Sequence, residues 1–302
     1  MAADWTLADM PSQRGRVALV TGANRGLGWQ ISDALAAAGA HVVMACRDGQ
    51  RAAAAAESIR ARHPQASLEI SSVDLAELAS VRRCASAFCE RHAQLDLLIH
   101  NGAAILAPHG KTRDGFETHL GINHYAPFLL TGLLLERLQA APAARVIGTS
   151  SLAHKMTSGL DLSDLDYQRR PYKDMDAYGA SKLAALLFTA ELDRRLQHAG
   201  SRIVAAAAHP GYSNTNPETG GFWMRLATRL FAQKADIGAL PALYAATAGD
   251  VRGGDYFGPG GFKELGGAPK RAAPSDEAKD PQLAAQLWEL SEQKTGIRYL
   301  SL

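Results

Sequence analysis

The chain has 302 residues, 47% of them hydrophobic and 21% charged, and its 32 basic and 30 acidic residues leave a net charge of +2. That length and apolar content suit one α/β domain with a sizeable core. The near-balanced charge excludes a broad electrostatic attraction to nucleic acid or anionic lipid. Cys46, Cys84 and Cys89 are odd in number and lack metal-ligand spacing, so no metal site is expected and a reducing cytoplasm fits. The most apolar run, 128–135, is about half the ~20 residues a membrane span needs. The start Met1-Ala2-Ala3-Asp4 lacks the basic-then-apolar order of a signal peptide, so a soluble, unprocessed cytoplasmic protein is expected.

Strand-like runs at 16–21, 41–46, 68–73, 95–101, 145–149 and 202–208 alternate with alanine-rich helical stretches. This rhythm predicts an α/β fold with a doubly wound parallel sheet and helices on both faces. Thr21-Gly22-Ala23-Asn24-Arg25-Gly26-Leu27-Gly28 follows the first strand directly and opens a helix. Glycines there let a pyrophosphate approach free backbone N–H groups at the positive helix end, the Rossmann arrangement for a dinucleotide. Gly39 closes that helix and Gly200 a later one, each where a left-handed cap is wanted.

At the end of the second strand an acidic residue would bind the ribose hydroxyl of NAD, but here Cys46 is followed by Arg47. A guanidinium makes paired, charge-assisted bonds to the extra phosphate of NADP, and Arg25 in the glycine turn can reach the same group. Asp48 opposes the phosphate or, more simply, caps the following helix. NADP(H) is therefore expected over NAD(H).

Further along, Asn123 opens a helical stretch after Gly121-Ile122, and Ser150 and Ser151 follow the fifth strand. Residues 158–175 form a polar, charged interruption. In Tyr178-Gly179-Ala180-Ser181-Lys182, residues four apart share one helical face, so the phenol and the ammonium point into one site. An unperturbed tyrosine has a pKa near ~10, and a nearby cation lowers it, as a general acid or base needs. Ser151 can donate to a substrate carbonyl, and the Asn123 amide can hold a water that relays protons to Lys182. Ser151 and Asn123 are also ordinary turn or cap residues, and Tyr-x-x-x-Lys is common by chance; the set is more specific than any member. A second interruption at 212–235 carries Phe222, Trp223, Leu226, Leu230 and Phe231 at helical spacing, either a core face or an apolar lid over the substrate. Leu283, Leu287 and Leu290 predict an amphipathic helix over 281–295 ending near Gly296.

Over residues 14–261 these elements resemble the short-chain dehydrogenases/reductases. The resemblance rests on the Thr21–Gly28 turn, Asp74-Leu75, His100–Ala103, Asn123, Ser151, Tyr178 with Lys182, and Pro210-Gly211 with Thr215. Cys46-Arg47-Asp48, Asn123-His124-Tyr125, Ser151-Leu152-Ala153-His154 and His209-Pro210-Gly211 are similar to retinol-dehydrogenase-like, WW-domain-oxidoreductase-like and protochlorophyllide-reductase-like members. The resemblance implies Tyr178 as proton donor and acceptor, Lys182 lowering its pKa and holding the nicotinamide ribose, Ser151 orienting the carbonyl, and Asn123 holding a relay water. It also implies Asp74, with Leu75, at the adenine, Asn101-Gly102-Ala103 along the middle of the cofactor, and Pro210, Gly211 and Thr215 around the nicotinamide. The chain has Asn101-Gly102-Ala103 where the family usually has Asn-Ala-Gly.

The expected activity is NADPH-dependent hydride transfer to or from a carbonyl or alcohol of a lipophilic small molecule. The alternatives are an NADP-binding sensor or scaffold with little catalysis and a reductase of conjugated carbon–carbon double bonds. The expected organisation is one domain over 1–302. A homodimer or homotetramer is the expected assembly, because many relatives pair through the helices carrying Asn123 and Tyr178; the 158–175 segment stands beside that surface.

Overall fold

Val17–Thr21 forms β1: its valine, alanine and leucine side chains suit a strand covered on both faces, and every residue after Val17 is buried. The computed structural model describes residues 4–211 and 235–301. β2 (His41–Cys46), β3 (Ser67–Ser72), β4 (Leu97–His100), β5 (Arg145–Thr149) and β6 (Val204–Ala208) follow close to their expected bounds. Two further strands were not legible in the sequence, β7 (Tyr256–Pro259) and β8 (Pro269–Arg271), which are short and flanked by glycines. The sheet order is β3-β2-β1-β4-β5-β6-β7-β8, parallel except for the β7–β8 pair. The fold is thus the expected α/β one, but the sheet continues past residue 261 to an antiparallel edge.

Helices cover both faces. On one side α1 (Gly26–Ala37), α2 (Gly49–Arg62) and α7 (Ala235–Thr247) pack over the sheet. On the other lie α3 (Leu78–Arg91), α4 (Ala126–Leu133), α6 (Asp174–His198) and α8 (Pro281–Thr295), with the short α5 (Leu135–Ala140) between α4 and β5. In α2, Ala52, Ala55, Ala56 and Ile59 are buried, the three- and four-residue spacing that gives a helix one apolar stripe. A short α turn, Thr118–Leu120, continues through a π-helical segment, Gly121–Tyr125, into α4. The expected glycine caps are in place, with φ of +95° at Gly39 and +64° at Gly200. The expected C-terminal helix spans Pro281–Thr295, capped by the Asp280 carboxylate at its start and by left-handed Gly296 at its end. Its Trp288 fills a space between Phe128 of α4 and Phe188 of α6, with ring centroids 4.9 and 5.9 Å away.

The order of the strands reverses between β1 and β4, and a crevice opens beyond their carboxyl ends, as expected at such a switch point. Gly28 fixes its floor. A Cβ there would lie 2.2 Å from the Gly22 carbonyl oxygen and 2.5 Å from Asn101 Nδ2, so α1 rests directly on the turn below it. Gly28→Ala should therefore overpack a rigid contact and cost about 1–3 kcal/mol. Gly49→Ala, which meets no atom within 4 Å, should be neutral or slightly stabilising. Thermal unfolding of the two variants checks this; equal midpoints would contradict the close approach.

Candidate active site

The crevice is a cavity of about 780 Å³, within the range of small-molecule sites. Gly22, Asn24, Arg25, Gly26, Leu27 and Gly28 line it after β1, Arg47 after β2, and Asp74 and Leu75 after β3. Asn101, Gly102 and Ala103 line it after β4, Ser151 after β5, Tyr178 and Lys182 from α6, and Pro210 and Gly211 after β6. All of these were expected site residues. Thr215 and the proposed lid, from Tyr212 through Phe222, Trp223, Leu226, Leu230 and Phe231, lie outside the described residues, as does all of 212–234.

The glycine turn is held by its neighbours rather than by itself. Gly22 donates its N–H to the Ala45 carbonyl at 2.8 Å, and Asn101 Nδ2 donates to the Thr21 carbonyl at 3.0 Å. Gly102 donates its N–H to Thr21 Oγ1 at 2.9 Å, and a Cβ on it would meet Leu75 Cδ1 at 2.9 Å. The small residue of the Asn101-Gly102-Ala103 segment is thus where the packing is tight, while the Ala103 methyl is exposed and lines the cavity. These glycines form a cradle that side chains would fill, and the residues present fit a dinucleotide.

At the far end of the cradle Arg25, Arg47 and Arg51 all reach the cavity with exposed side chains. Asp48 caps α2: its Oδ1 accepts from the Arg51 N–H at 3.0 Å, and its Oδ2 lies 3.2 Å from Arg51 Nε. Its charge is thereby directed at the helix start and one guanidinium, leaving Arg25 and Arg47 outside that pair.

At the other end the i, i+4 spacing on α6 puts Tyr178 and Lys182 into one wall, with Lys182 Nζ 5.6 Å from the Tyr178 ring centre. Lys182 donates to the Thr149 carbonyl at 2.9 Å, and Ser150 Oγ donates to the Lys182 carbonyl at 2.9 Å, which ties α6 to the end of β5. The expectation that the ammonium lowers the phenol is not what the surroundings produce. Burial pushes Tyr178 up to about 12, partly offset by a hydrogen bond from Ser151, and pushes Lys182 down to about 8. Both shifts have one cause, the cost of holding a charge away from water.

Asn123 differs from its expected part. Its Oδ1 accepts from the Ala104 N–H at 2.8 Å, and its Nδ2 donates to the Ala104 carbonyl at 3.0 Å and to Ser181 Oγ at 2.9 Å. The amide is a brace between the π-helical segment, the loop after β4 and α6. Asn123 is not among the residues lining the cavity.

Several supporting groups escaped the sequence reading. His154 accepts the Ser275 N–H at Nε2 (3.1 Å), so its Nδ1 carries the proton and donates to the Ser151 carbonyl at 2.6 Å. His209 accepts the Gly211 N–H at Nδ1 (3.2 Å) and faces Glu264 through Nε2 at 2.9 Å, and burial pushes it down to about 4. The Ser151-Leu152-Ala153-His154 and His209-Pro210-Gly211 motifs contained the two histidines without assigning them a part; Glu264 and Ser275 are brought in by chain that is distant in sequence. Among the described residues the grouping with metal-like spacing is His41, Glu69 and His92, at the amino end of β2. Arg91 and His92 already pair with the two Glu69 oxygens at 2.9 and 3.0 Å, so we read it as an ion-pair cluster.

A family model described as short chain dehydrogenase matches residues 16–162. Human retinol dehydrogenase 13 is 37% identical over 94% of this chain and 85% of its own length. The chain belongs to the short-chain dehydrogenase/reductase family. The WW domain-containing oxidoreductase of Danio rerio is 36% identical, over 92% of this chain and 68% of that protein. A crystal structure of a protein from Mycobacterium paratuberculosis superposes with a TM-score of 0.82 at 41% identity, covering 99% of this chain and all of that one. In this short-chain dehydrogenase/reductase the turn after β1, Ser151 and the α6 pair occupy one crevice, so the family's oxidoreductase chemistry has a place in the fold.

Since burial lowers the Lys182 ammonium, most of its charge is present at neutral pH and is lost as pH rises through about 8. An unfolded lysine keeps its proton up to about 10.5, so this group's contribution to stability grows as pH rises between those values. NMR of selectively labelled lysine, without added nucleotide, should give Lys182 a midpoint near 8; the ordinary 10.5 would contradict the burial argument.

Proposed function

We propose that the protein is an NADPH-dependent oxidoreductase that moves a hydride between the nicotinamide and a carbonyl or alcohol of a lipophilic small molecule. The observation that carries this reading is the meeting of Ser151, Tyr178 and Lys182 at one end of a cavity whose other end is lined by Arg25, Arg47 and Arg51. When bound, the dinucleotide supplies the hydride. The glycine turn holds its pyrophosphate against the start of α1, with Asp74 and Leu75 toward the adenine and Pro210 and Gly211 toward the nicotinamide. Thr215 belongs to the same proposal.

Tyr178 stays protonated through neutral pH because burial raises it, so in the reducing direction it is a ready proton donor to a carbonyl oxygen. Ser151 donates to the same oxygen and orients it. Lys182 holds positive charge beside the phenol and stabilises the phenolate left after donation. Asn123 acts through Ser181 and Ala104, as a positioning residue. The apolar Ala104, Ile105 and Ile122 side chains lining the cavity support a lipophilic substrate, and among the described residues no helix is long and apolar enough to cross a membrane. The cysteines are all free, in keeping with a reducing cytoplasm. A homodimer or homotetramer pairing through the helices that carry Asn123 and Tyr178 belongs to the same proposal.

A panel of lipophilic ketones, aldehydes and a conjugated enone, read by NADPH consumption, tests the activity; reduction of the enone alone would favour the double-bond reading. Tyr178→Phe should cut turnover by about 10²–10⁴-fold while leaving NADPH affinity nearly unchanged, because only the proton transfer is lost. Wild-type turnover in that variant would remove the catalytic assignment. Arg47→Ala should weaken NADPH at least about tenfold, the size of a lost charge-assisted bond, and leave NADH within about twofold. An unchanged preference would sink the arginine argument.

A further inference from the structure

Part of the cavity wall, Ile105 and Ala107, is fixed by side chains that the reactive set does not require. Ala107 lines the cavity, and both of its main-chain polar atoms are held by side chains from separate parts of the chain. Its N–H donates to His119 Nε2 at 2.9 Å, and its carbonyl accepts from the Tyr172 hydroxyl at 2.9 Å. The preceding Leu106 has a φ of +47°, left-handed backbone that a leucine adopts only where its surroundings over-determine it. The two-sided hold on Ala107 supplies that determination.

The protons in this network order themselves. Because Ala107 donates to Nε2, His119 is neutral with its proton on Nδ1, which faces Glu117 Oε1 at 2.9 Å and the Tyr172 oxygen at 3.0 Å. The Tyr172 hydroxyl has the Ala107 carbonyl as its nearer acceptor at 2.9 Å, with Glu117 Oε1 at 3.3 Å beyond it. Glu117 also accepts the N–H groups of His119 and Leu120, so it caps the turn from which His119 projects. His119 and Glu117 are 0% and 1% exposed, so no solvent competes for these bonds.

Tyr172 comes from the polar segment between β5 and α6, and its ring stacks on His109 with centroids 4.6 Å apart and packs edge-on against Tyr167 at 5.2 Å. The His119 ring in turn lies 5.9 Å from that of Tyr178. A continuous series of rings therefore joins the 158–175 segment to the proposed proton donor.

We propose that Tyr172 and His119 are positioning residues for the substrate: by clamping Ala107 from both sides they set the wall, Ile105 to Ala107, against which a lipophilic carbonyl compound lies beside Tyr178. This rests on the functional reading above and gives the 158–175 segment a part in substrate selection. The Tyr172 hydroxyl touches the wall and not the reacting atoms, so its removal should alter substrate binding more than chemistry.

Tyr172→Phe keeps the ring stack and deletes only the hydroxyl. For a bulky aromatic ketone, KM should rise about tenfold, with kcat within about threefold and NADPH affinity unchanged, the pattern of lost uniform binding. Exchange of the Ala107 amide hydrogen, followed by NMR, should accelerate at least about tenfold as the wall loosens. For His119, the Gln variant should keep KM near wild type, because its amide oxygen can accept from Ala107 and its NH2 group can donate to Glu117, whereas His119→Ala should not. Should His119→Ala fail to fold, Tyr172→Phe carries the test. An unchanged KM, or a loss of kcat alone, overturns the positioning role. If the wild type reduces no compound of the panel, the functional reading falls on that ground, and unchanged Ala107 exchange in Tyr172→Phe would separately overturn the clamp.

Discussion

The first turn of α1 lies so close to the turn after β1 that the space at Gly28 is already taken by the Gly22 carbonyl and the Asn101 amide. The phosphate end of the crevice follows from this approach. With no side chain between them, the start of α1 can face a ligand directly, where its unpaired N–H groups and its dipole favour negative charge. Asn101 is drawn into the same contact and donates to Thr21, which locks the end of β4 to the end of β1. Those two strands are the ones between which the order of the sheet reverses, so one tight contact fixes both lips of the site.

The opposite end depends on burial rather than on closeness. Lys182 is buried and Tyr178 partly so, on a helix whose inner face is packed against β5 and the π-helical segment. Such surroundings penalise charge on either group, raising the phenol and lowering the ammonium. On the proposed reading, the phenol keeps its proton until a substrate oxygen gaining electron density can take it. The π-helical turn at Gly121–Tyr125 belongs to the same economy of space: it directs Asn123 toward Ala104 and Ser181, and inserted turns of this kind are frequent at functional sites.

The features legible in the sequence were those whose signal is local. The apolar runs of β1 to β6, the glycine turn, the Asp48 cap and the stripe of α8 each lie within about twenty residues, where periodicity and capping speak directly. β7 and β8 were not legible because they are short, lie among glycine-rich turns, and become strands only by pairing with β6 and with each other. The Asn123 side chain was read by residue type as a relay; the structure shows its amide already bonded on both sides. His119, Glu117 and Tyr172 carry no spacing that marks them, since Tyr172 meets Ala107 across 65 positions.

The sequence by itself determined the α/β fold, the dinucleotide cradle and the Tyr178, Lys182 and Ser151 set, because each is encoded by residue types at short fixed intervals that backbone geometry converts into one face or one turn. The tertiary structure alone decided which side chains brace that set, how its acids and bases shift, and how the wall beside Tyr178 is held. Those properties arise from burial and from hydrogen bonds between segments far apart in the chain, and no local pattern records them.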